Sequence, residues 1–355
     1  MSEIRAMRLQ LEEFTASAMR SLGLPSEDAA TVAALMVDAD MQGSDGHGVI
    51  RLAPYAKRIL AGGINLKPDI TVVQERTAMA LVDGDNGMGH LVMKKATELA
   101  IHKARSAGIA WVGSRLSNHA GPASLYARMA LQHDMIGLYF AVGNANHLPP
   151  WGGLDMLLST NPIAAAIPTL NEAPVVLDMA TTVAAYGKVK AKAQRGEMMP
   201  EGWMIDRQGK PLLDPTKSED GFLLPIGGYK GYGLSLIVGI LAGTLNGAAM
   251  GRQVIDFNKD FSTTTNTGQA IAIIDPSAFG DLTEFKQNVD TLVRELRGAE
   301  RMPGVDRIWL PGEQSHERRL SNEARGILLA PSLIKQLNDL AVQLKIKPLN
   351  LQIQT

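Results

Sequence analysis

Cysteine is absent from this chain, which excludes disulfides, thiolate metal sites and a cysteine nucleophile. An excess of either charge is also absent: 35 basic residues face 36 acidic ones, for a formal net charge of -1. No long basic run adds to that balance, so an electrostatic footprint for nucleic acid is missing. Residues 231–251 carry no charge and are nominally long enough to cross a bilayer. Their apolar part is only residues 234–245, with Asn246 and several glycines interrupting the remainder, so a buried core helix is expected and no membrane partner. The N-terminal residues lead into a charged amphipathic segment without the apolar core of a signal peptide, and the expected location is cytoplasmic. Generic ligand motifs are missing as well. No G-x-G-x-x-G follows a first strand, no G-x-x-x-x-G-K-[ST] occurs, and no H-E-x-x-H or close His/Asp cluster offers metal-ligand spacing.

What is present is an ordinary globular composition over 355 residues, 45% hydrophobic and 20% charged, enough for two or three lobes around an enclosed site. Helices are expected over 9–21, 26–41 and 49–60, the second announced by Pro25-Ser26-Glu27-Asp28. Two short β-rich runs, 70–74 and 78–82, end at the turn cluster Asp83-Gly84-Asp85-Asn86-Gly87. A helix over 90–105 stops at Gly108, and strands and helices then alternate. Strands are expected at 109–113, 136–142, 163–167, 175–178, 269–274 and near 308–310, and helices at 122–133, 183–195, from 230, 282–297 and 332–344. Residues 206–210 read as an exposed hairpin turn. Such alternation implies an α/β protein, and the turn-rich loops 144–160 and 214–230 are long enough to be functional.

Three of the seven histidines sit in glycine- or asparagine-rich loops. His47, in Asp45-Gly46-His47-Gly48, is followed at four-residue intervals by Arg51 and Tyr55, which share one face if 49 onward is helical. A histidine moves a proton near neutral pH, and an arginine fork holds a carboxylate through two bonds. Together they are what reduction of a 2-oxo acid requires, although a capping histidine and a surface arginine would leave the same pattern. His119, in Ser117-Asn118-His119-Ala120-Gly121, lies between a strand and a helix, where α/β folds present ligands. A helix-capping loop with an incidental histidine is the competing explanation. His147 follows a strand in the same way, whereas His90, His102, His133 and His316 look like helix residues without partners at useful spacing. Gly227-Gly228-Tyr229-Lys230-Gly231 before a helix offers N–H groups and an ammonium to an anion, or is a tight loop that needs glycine for packing.

Taken in order, several segments resemble the malate/L-lactate dehydrogenase type-2 family over residues 9–344. They are Gly46-His47-Gly48 with Arg51, Ser117-Asn118-His119, Pro149-Pro150-Trp151-Gly152-Gly153, Thr160-Asn161-Pro162, Leu177-Asp178-Met179-Ala180-Thr181-Thr182, Gly228-Tyr229-Lys230-Gly231-Tyr232-Gly233 and Leu310-Pro311-Gly312-Glu313. The resemblance implies a non-Rossmann NAD(P)-binding fold, a mixed sheet flanked by helices in two to three lobes. Residues 1–115 would form a helical and substrate-side lobe, 116–300 a cofactor-binding lobe, and 301–355 a segment packing back on the first. It implies a homodimer that interconverts a small 2-hydroxy acid and its 2-oxo acid with NAD or NADP.

Residue by residue, the resemblance makes His47 and His119 the two candidates for proton transfer. Arg51 would grip the carboxylate, with Tyr55, Asn144, Asn146 and His147 beside the substrate. Asp178, Met179, Ala180, Thr181, Thr182, Tyr229, Lys230, Gly312 and Glu313 would line the cofactor. Two departures fall near the substrate: family members often have serine where Gly46 stands, and many have asparagine at the position of Gly143. Reduction of a cyclic C=N bond beside a carboxylate would use Arg51 equally. A metal-dependent hydrolase or lyase built on Asp45, His47 and His119, and a non-catalytic binding module, are the readings from other classes.

Overall fold

The computed structural model describes residues 4–351. A two-residue strand, β1 (Arg5–Ala6), leads into three helices, α1 (Arg8–Ser21), α2 (Ser26–Met41) and α3 (Leu52–Leu60). Acidic Glu27 and Asp28 fall in the first turn of α2, where they complement the helix dipole. Then come β2 (Thr71–Arg76), β3 (Met79–Gly87), α4 (Gly89–Ala107), β4 (Ile109–Ser117), α5 (Ser124–Met129), β5 (Ile136–Ala141), β6 (Ile163–Ile167) and β7 (Val175–Met179). A small subdomain holds α6 (Tyr186–Arg195), β8 (Met204–Asp206) and β9 (Gly221–Leu223). The chain continues through α7 (Tyr229–Ala242), β10 (Thr267–Ile274), α8 (Leu282–Gly298), α9 (Glu313–Arg325), β11 (Ile327–Leu328) and α10 (Pro331–Leu344).

Seven strands form one mixed sheet in the order β2-β3-β4-β10-β5-β6-β7. Only β3 and β4 run parallel; the other neighbours are antiparallel. The central β10, buried almost throughout, contacts α4 and α7 as well as its neighbouring strands. This α/β architecture explains the missing dinucleotide fingerprint. The parallel pair is joined by α4, but the start of that helix is buried and leaves no room for a phosphate. A Cβ on Gly89 would stand 2.1 Å from the Asn118 carbonyl oxygen, so the backbone of the next loop fills the position.

One apolar core joins α1, α2 and α3 to α10, and β1 pairs with β11 beside it. A second core lies under the sheet against α4 and α5, and a third, smaller one sits beneath α6, β8 and β9. Position 115 falls within β4, in the middle of the sheet. Among the described residues no helix is long and apolar enough to cross a membrane.

Four expectations need correction. Residues 308–310 form no strand, and a thirteen-residue helix, α9, follows them instead. The 83–87 cluster does not end its strand: β3 runs through it, with a register shift between Asp83 and Gly87 and left-handed φ of 46° and 55° at Asp85 and Asn86. The helix expected to be buried core, α7, is half-covered, with Leu234, Ile237 and Ile240 exposed along one side. His47, finally, precedes the helical turn that carries Arg51 and Tyr55, so the three do not line one helix face.

Candidate active site

The loop that carries His119 is fixed before the histidine is reached. Leu116 takes a left-handed φ of 46° and donates its N–H to Asn266 Oδ1 at 2.9 Å. Buried Asn118 then uses both ends of its amide. Its Nδ2 donates to the carbonyl oxygens of Asn86 at 3.0 Å and Gly87 at 2.9 Å, and its Oδ1 accepts from Thr265 Oγ1 at 3.1 Å. A fully satisfied buried amide of this kind specifies one loop conformation.

His119 meets α3 through a 2.5 Å hydrogen bond between its Nδ1 and the hydroxyl of Tyr55. Tyr55 is fully buried, so it stands behind the imidazole and leaves Nε2 as the ring nitrogen away from this bond. The His47 ring stacks on His119, with centroids 5.6 Å apart and planes within 6°. Phe257 closes another side, 5.9 Å from both Tyr55 and His119. The loop bearing Phe257 is held by Arg58 of α3, whose guanidinium donates to the carbonyl oxygens of Asp260 and Thr263.

Arg51 supplies the charge. Its Nε donates to the Gly46 carbonyl oxygen at 2.8 Å, and among the described residues its Nη groups have no protein partner. Burial, then Arg51, lowers the His47 imidazole to about 4. His119 is held well below its ordinary value by burial, then by Arg51, His47 and His90. The cluster therefore presents neutral imidazoles beside one guanidinium. A bound carboxylate would offset Arg51 and let both rings rise.

His90 belongs to this cluster, and sequence reasoning missed it. It is fully buried, lies edge-on to Tyr55 at 5.7 Å, and is lowered to about 3 by burial and His47. Neither ring nitrogen has a hydrogen-bond partner among the described residues. The available signal was its place beside Gly87 and Gly89 at a strand–helix junction.

The remaining substrate-side candidates separate. Asn144 reaches the cluster through its carbonyl oxygen, which accepts the Phe257 N–H at 2.9 Å. Asn146 donates to the Gly251 carbonyl oxygen at 2.7 Å, and His147 stacks on Tyr186 of α6 at 4.2 Å. Gly143 cannot be asparagine in this arrangement, since its Cβ would fall 2.0 Å from Ser159 Oγ.

The cofactor-side candidates converge through backbone bonds. Thr181 O accepts the Ile226 N–H at 3.0 Å and the Val183 N–H reaches Leu224 O at 2.8 Å, placing the segment after β7 beside the start of α7. Asp178 Oδ2 accepts the Ser124 N–H at 2.9 Å, tying that segment to the end of the His119 loop. Thr181 and Thr182 are buried and bonded to protein, while Tyr229 and Lys230 are exposed. Gly312 packs against Val176, and the Glu313 carboxylate is engaged by Arg297 at 2.6 Å and by the Leu310 N–H at 3.0 Å. Met179 and Ala180 connect β7 to this group.

Among the described residues no group of three or more His, Asp or Glu side chains is placed to hold a metal ion. Asp45 is exposed and stands 3.9 Å from Arg318.

A family model described as malate/L-lactate dehydrogenase matches residues 8–338. The chain is 38% identical to a malate dehydrogenase of Pyrococcus horikoshii, over 98% of this chain and 97% of that protein. It is 32% identical to a ureidoglycolate dehydrogenase (NAD(+)) of Escherichia coli, over 94% and 95% of the two chains. The solved structure of sulfolactate dehydrogenase from Methanocaldococcus jannaschii superposes with a TM-score of 0.89 at 35% identity, covering 97% of this chain and 98% of that one.

Proposed function

The chain belongs to the malate/L-lactate dehydrogenase family, and on that premise we propose how its residues carry out the family's reaction. It is an NAD(P)-dependent oxidoreductase acting on a small 2-hydroxy acid and its 2-oxo acid. The observation that carries the assignment of roles is the guanidinium of Arg51, with unpartnered Nη groups, beside the stacked imidazoles of His47 and His119.

Arg51 holds the substrate carboxylate and turns C2 toward the reacting centre. His119 moves the proton at Nε2, because Tyr55 occupies Nδ1 from behind. In the oxidative direction neutral His119 takes the proton of the C2 hydroxyl; in the reductive direction it returns a proton to the C2 oxygen. With Nε2 exchanging the proton, Nδ1 carries its hydrogen in both states and donates it to the Tyr55 oxygen throughout. His47 packs parallel to His119 and forms the adjoining wall, and Phe257 excludes water from the far side.

The segment of residues 178–182 and the start of α7 fit a nicotinamide nucleotide. First-turn N–H groups of a helix lack intrahelical partners, and Lys230 adds an exposed ammonium beside them, which suits a diphosphate. When bound, the nicotinamide supplies or accepts the hydride at C2. Gly312 supports this side by packing on Val176 of β7, and Glu313 is fixed next to it by Arg297.

The proposal extends to a homodimer, supported by the uncovered apolar side of α7, and to a cytoplasmic location. It also keeps the segment from residue 301 onward with the N-terminal lobe, supported by the core that α10 shares with α1 and α3; residues 352–355 of that segment lie outside the described ones.

The test is a panel of 2-oxo acids and cyclic imino acids with NADH and NADPH, followed by absorbance of the reduced nicotinamide. Arg51→Ala should cost about 2–5 kcal/mol in kcat/KM toward the acid, as truncation of one partner of a buried charge pair does. An uncharged amide analogue should react equally with both proteins. Equal losses on acid and amide would make Arg51 structural.

A further inference from the structure

The carboxyl group of Asp40 lies beneath the turn that presents His47. It sits near the end of α2 with 4% exposure, and no basic side chain lies within ion-pair distance of it among the described residues. Its Oδ2 accepts the Val49 N–H at 2.8 Å. A Cβ on Gly48 would fall 1.9, 2.1 and 2.3 Å from Asp40 Oδ1, Cγ and Oδ2. Gly48 has a negative φ of -88°, and the carboxyl group leaves no room for a side chain at this position. The end of α2 is itself anchored, because Asn322 Nδ2 on α9 donates to the carbonyl oxygens of Asp40 and Met41 at 3.3 and 3.2 Å.

A buried carboxyl group without a cation is costly to keep, and a hydrophobic residue of similar size would fill the space more cheaply. What such a residue cannot do is accept the Val49 N–H at the point where the chain turns from His47 toward Arg51. We propose that Asp40 is a positioning residue for this reaction: by bonding Val49 and seating against Gly48, it fixes the directions of His47 and Arg51. The inference rests on the roles assigned to those two residues above.

The charged and titratable groups facing this carboxyl are few. The turn contributes Asp45, His47 and, beyond Val49, Arg51. From α9, Arg318 reaches Asp45 at 3.9 Å and Arg319 is paired with Asp38 at 2.8 Å. Burial, opposed by the Val49 N–H and reinforced by Asp45, raises the carboxyl to about 8, so at neutral pH it accepts through one oxygen and carries a proton. Asparagine has the same shape and the same acceptor.

The test compares Asp40→Asn, Asp40→Ala and Gly48→Ala in the full chain, each checked for folding by circular dichroism and melting. Asp40→Asn should keep kcat/KM within about threefold, as the acceptor and shape remain. Asp40→Ala should lose about 10–100-fold, with KM for the 2-oxo acid raised, because small misplacements of binding groups have effects of that order. The histidine-ring resonances give a readout independent of turnover. The His47 signal, assigned by its loss in His47→Ala, should move in Asp40→Ala and stay in Asp40→Asn, while His316 remains unmoved in both.

Should Asp40→Ala fold poorly, Gly48→Ala carries the test by itself, since displacing the carboxyl group from its seat should raise KM and move the His47 resonance. Where Asp40→Ala folds, the cost of Gly48→Ala should shrink in the Asp40→Ala/Gly48→Ala pair, because the colliding group is gone. An unmoved His47 resonance with unchanged KM in Asp40→Ala, or strictly additive effects in the pair, overturns the proposal. If His47 moves but His47→Ala and Arg51→Ala leave turnover intact, the positioning stands and the active-site roles fall.

Discussion

Tyr55 and His119 share the shortest polar contact of the cluster, and its chemistry fixes what each substitution should do. Tyr55→Phe removes the hydroxyl behind Nδ1 but keeps the ring that packs on His90 and Phe257. The expected result is a lower kcat with little change in KM. His119→Ala should lower kcat by about 10²–10⁴-fold, the usual contribution of a positioned acid or base. The pH profile carries a further signature. A base must be neutral, and burial with Arg51 holds His119 well below its ordinary value. Lowering that pKa extends the neutral form toward acid, so oxidative kcat/KM in the free enzyme should stay flat below pH 6.5. A profile that falls by half near about 6.5, the ordinary histidine value, would assign the proton to a solvent-exposed group instead. None of this was legible from spacing. The intervals between His47, Arg51 and Tyr55 suggested one helix face, whereas the contact that matters joins Tyr55 to a histidine sixty-four residues away.

The helix that sequence reasoning missed, α9, is held in place by polar contacts. In α9 the buried residues are Glu313 and Asn322, and its thirteen residues include almost no apolar side chain by which to find it. Helices rich in apolar residues, such as α1, α2 and α10, were legible because those residues enter one core. The end of β6 offers another polar hinge. Asp290 on α8, buried to 1% exposure, accepts the N–H groups of Leu170, Asn171 and Glu172 at 3.0, 2.9 and 3.3 Å. Burial raises this carboxyl, but the three amides and Arg294 outweigh it and the net direction is down. Asp290→Ala would strand those donors and should destabilise the protein by about 2–4 kcal/mol. A group with a lowered folded pKa stabilises above its unfolded pKa, and that contribution is lost as pH falls through the folded one. The melting-temperature gap between parent and variant should therefore close toward strongly acidic pH. Turnover well below the melting transition should be unchanged, since this turn lies at the opposite end of β7 from Asp178.

At the scale of the whole molecule the open question is what covers α7. Leu234, Ile237 and Ile240 are 36%, 53% and 41% exposed at three-residue spacing along α7, and Leu245, just beyond its end, is 60% exposed. Water is an unfavourable neighbour for such a surface, and a second copy of the chain is the partner the homodimer proposal supplies. Ile237→Arg should shift the mass measured by light scattering from dimer to monomer. Lys230 begins the same helix, so cofactor affinity should weaken with it. A parent protein of monomer mass at micromolar concentration would remove the dimer from the proposal.

Residue types and their order along the chain determined the class of chemistry: imidazoles and a guanidinium in glycine-rich turns, no thiols, no phosphate fingerprint, and an α/β alternation. Those properties are local, and local patterns survive in one dimension. Only the tertiary structure decided which groups meet. It set Tyr55 behind His119, added His90 to the cluster, and placed Asp40 under Gly48. It also ran five antiparallel strand pairings around one parallel pair. Each of these depends on the close approach of segments distant in sequence, where burial, rather than spacing, sets both the geometry and the protonation state.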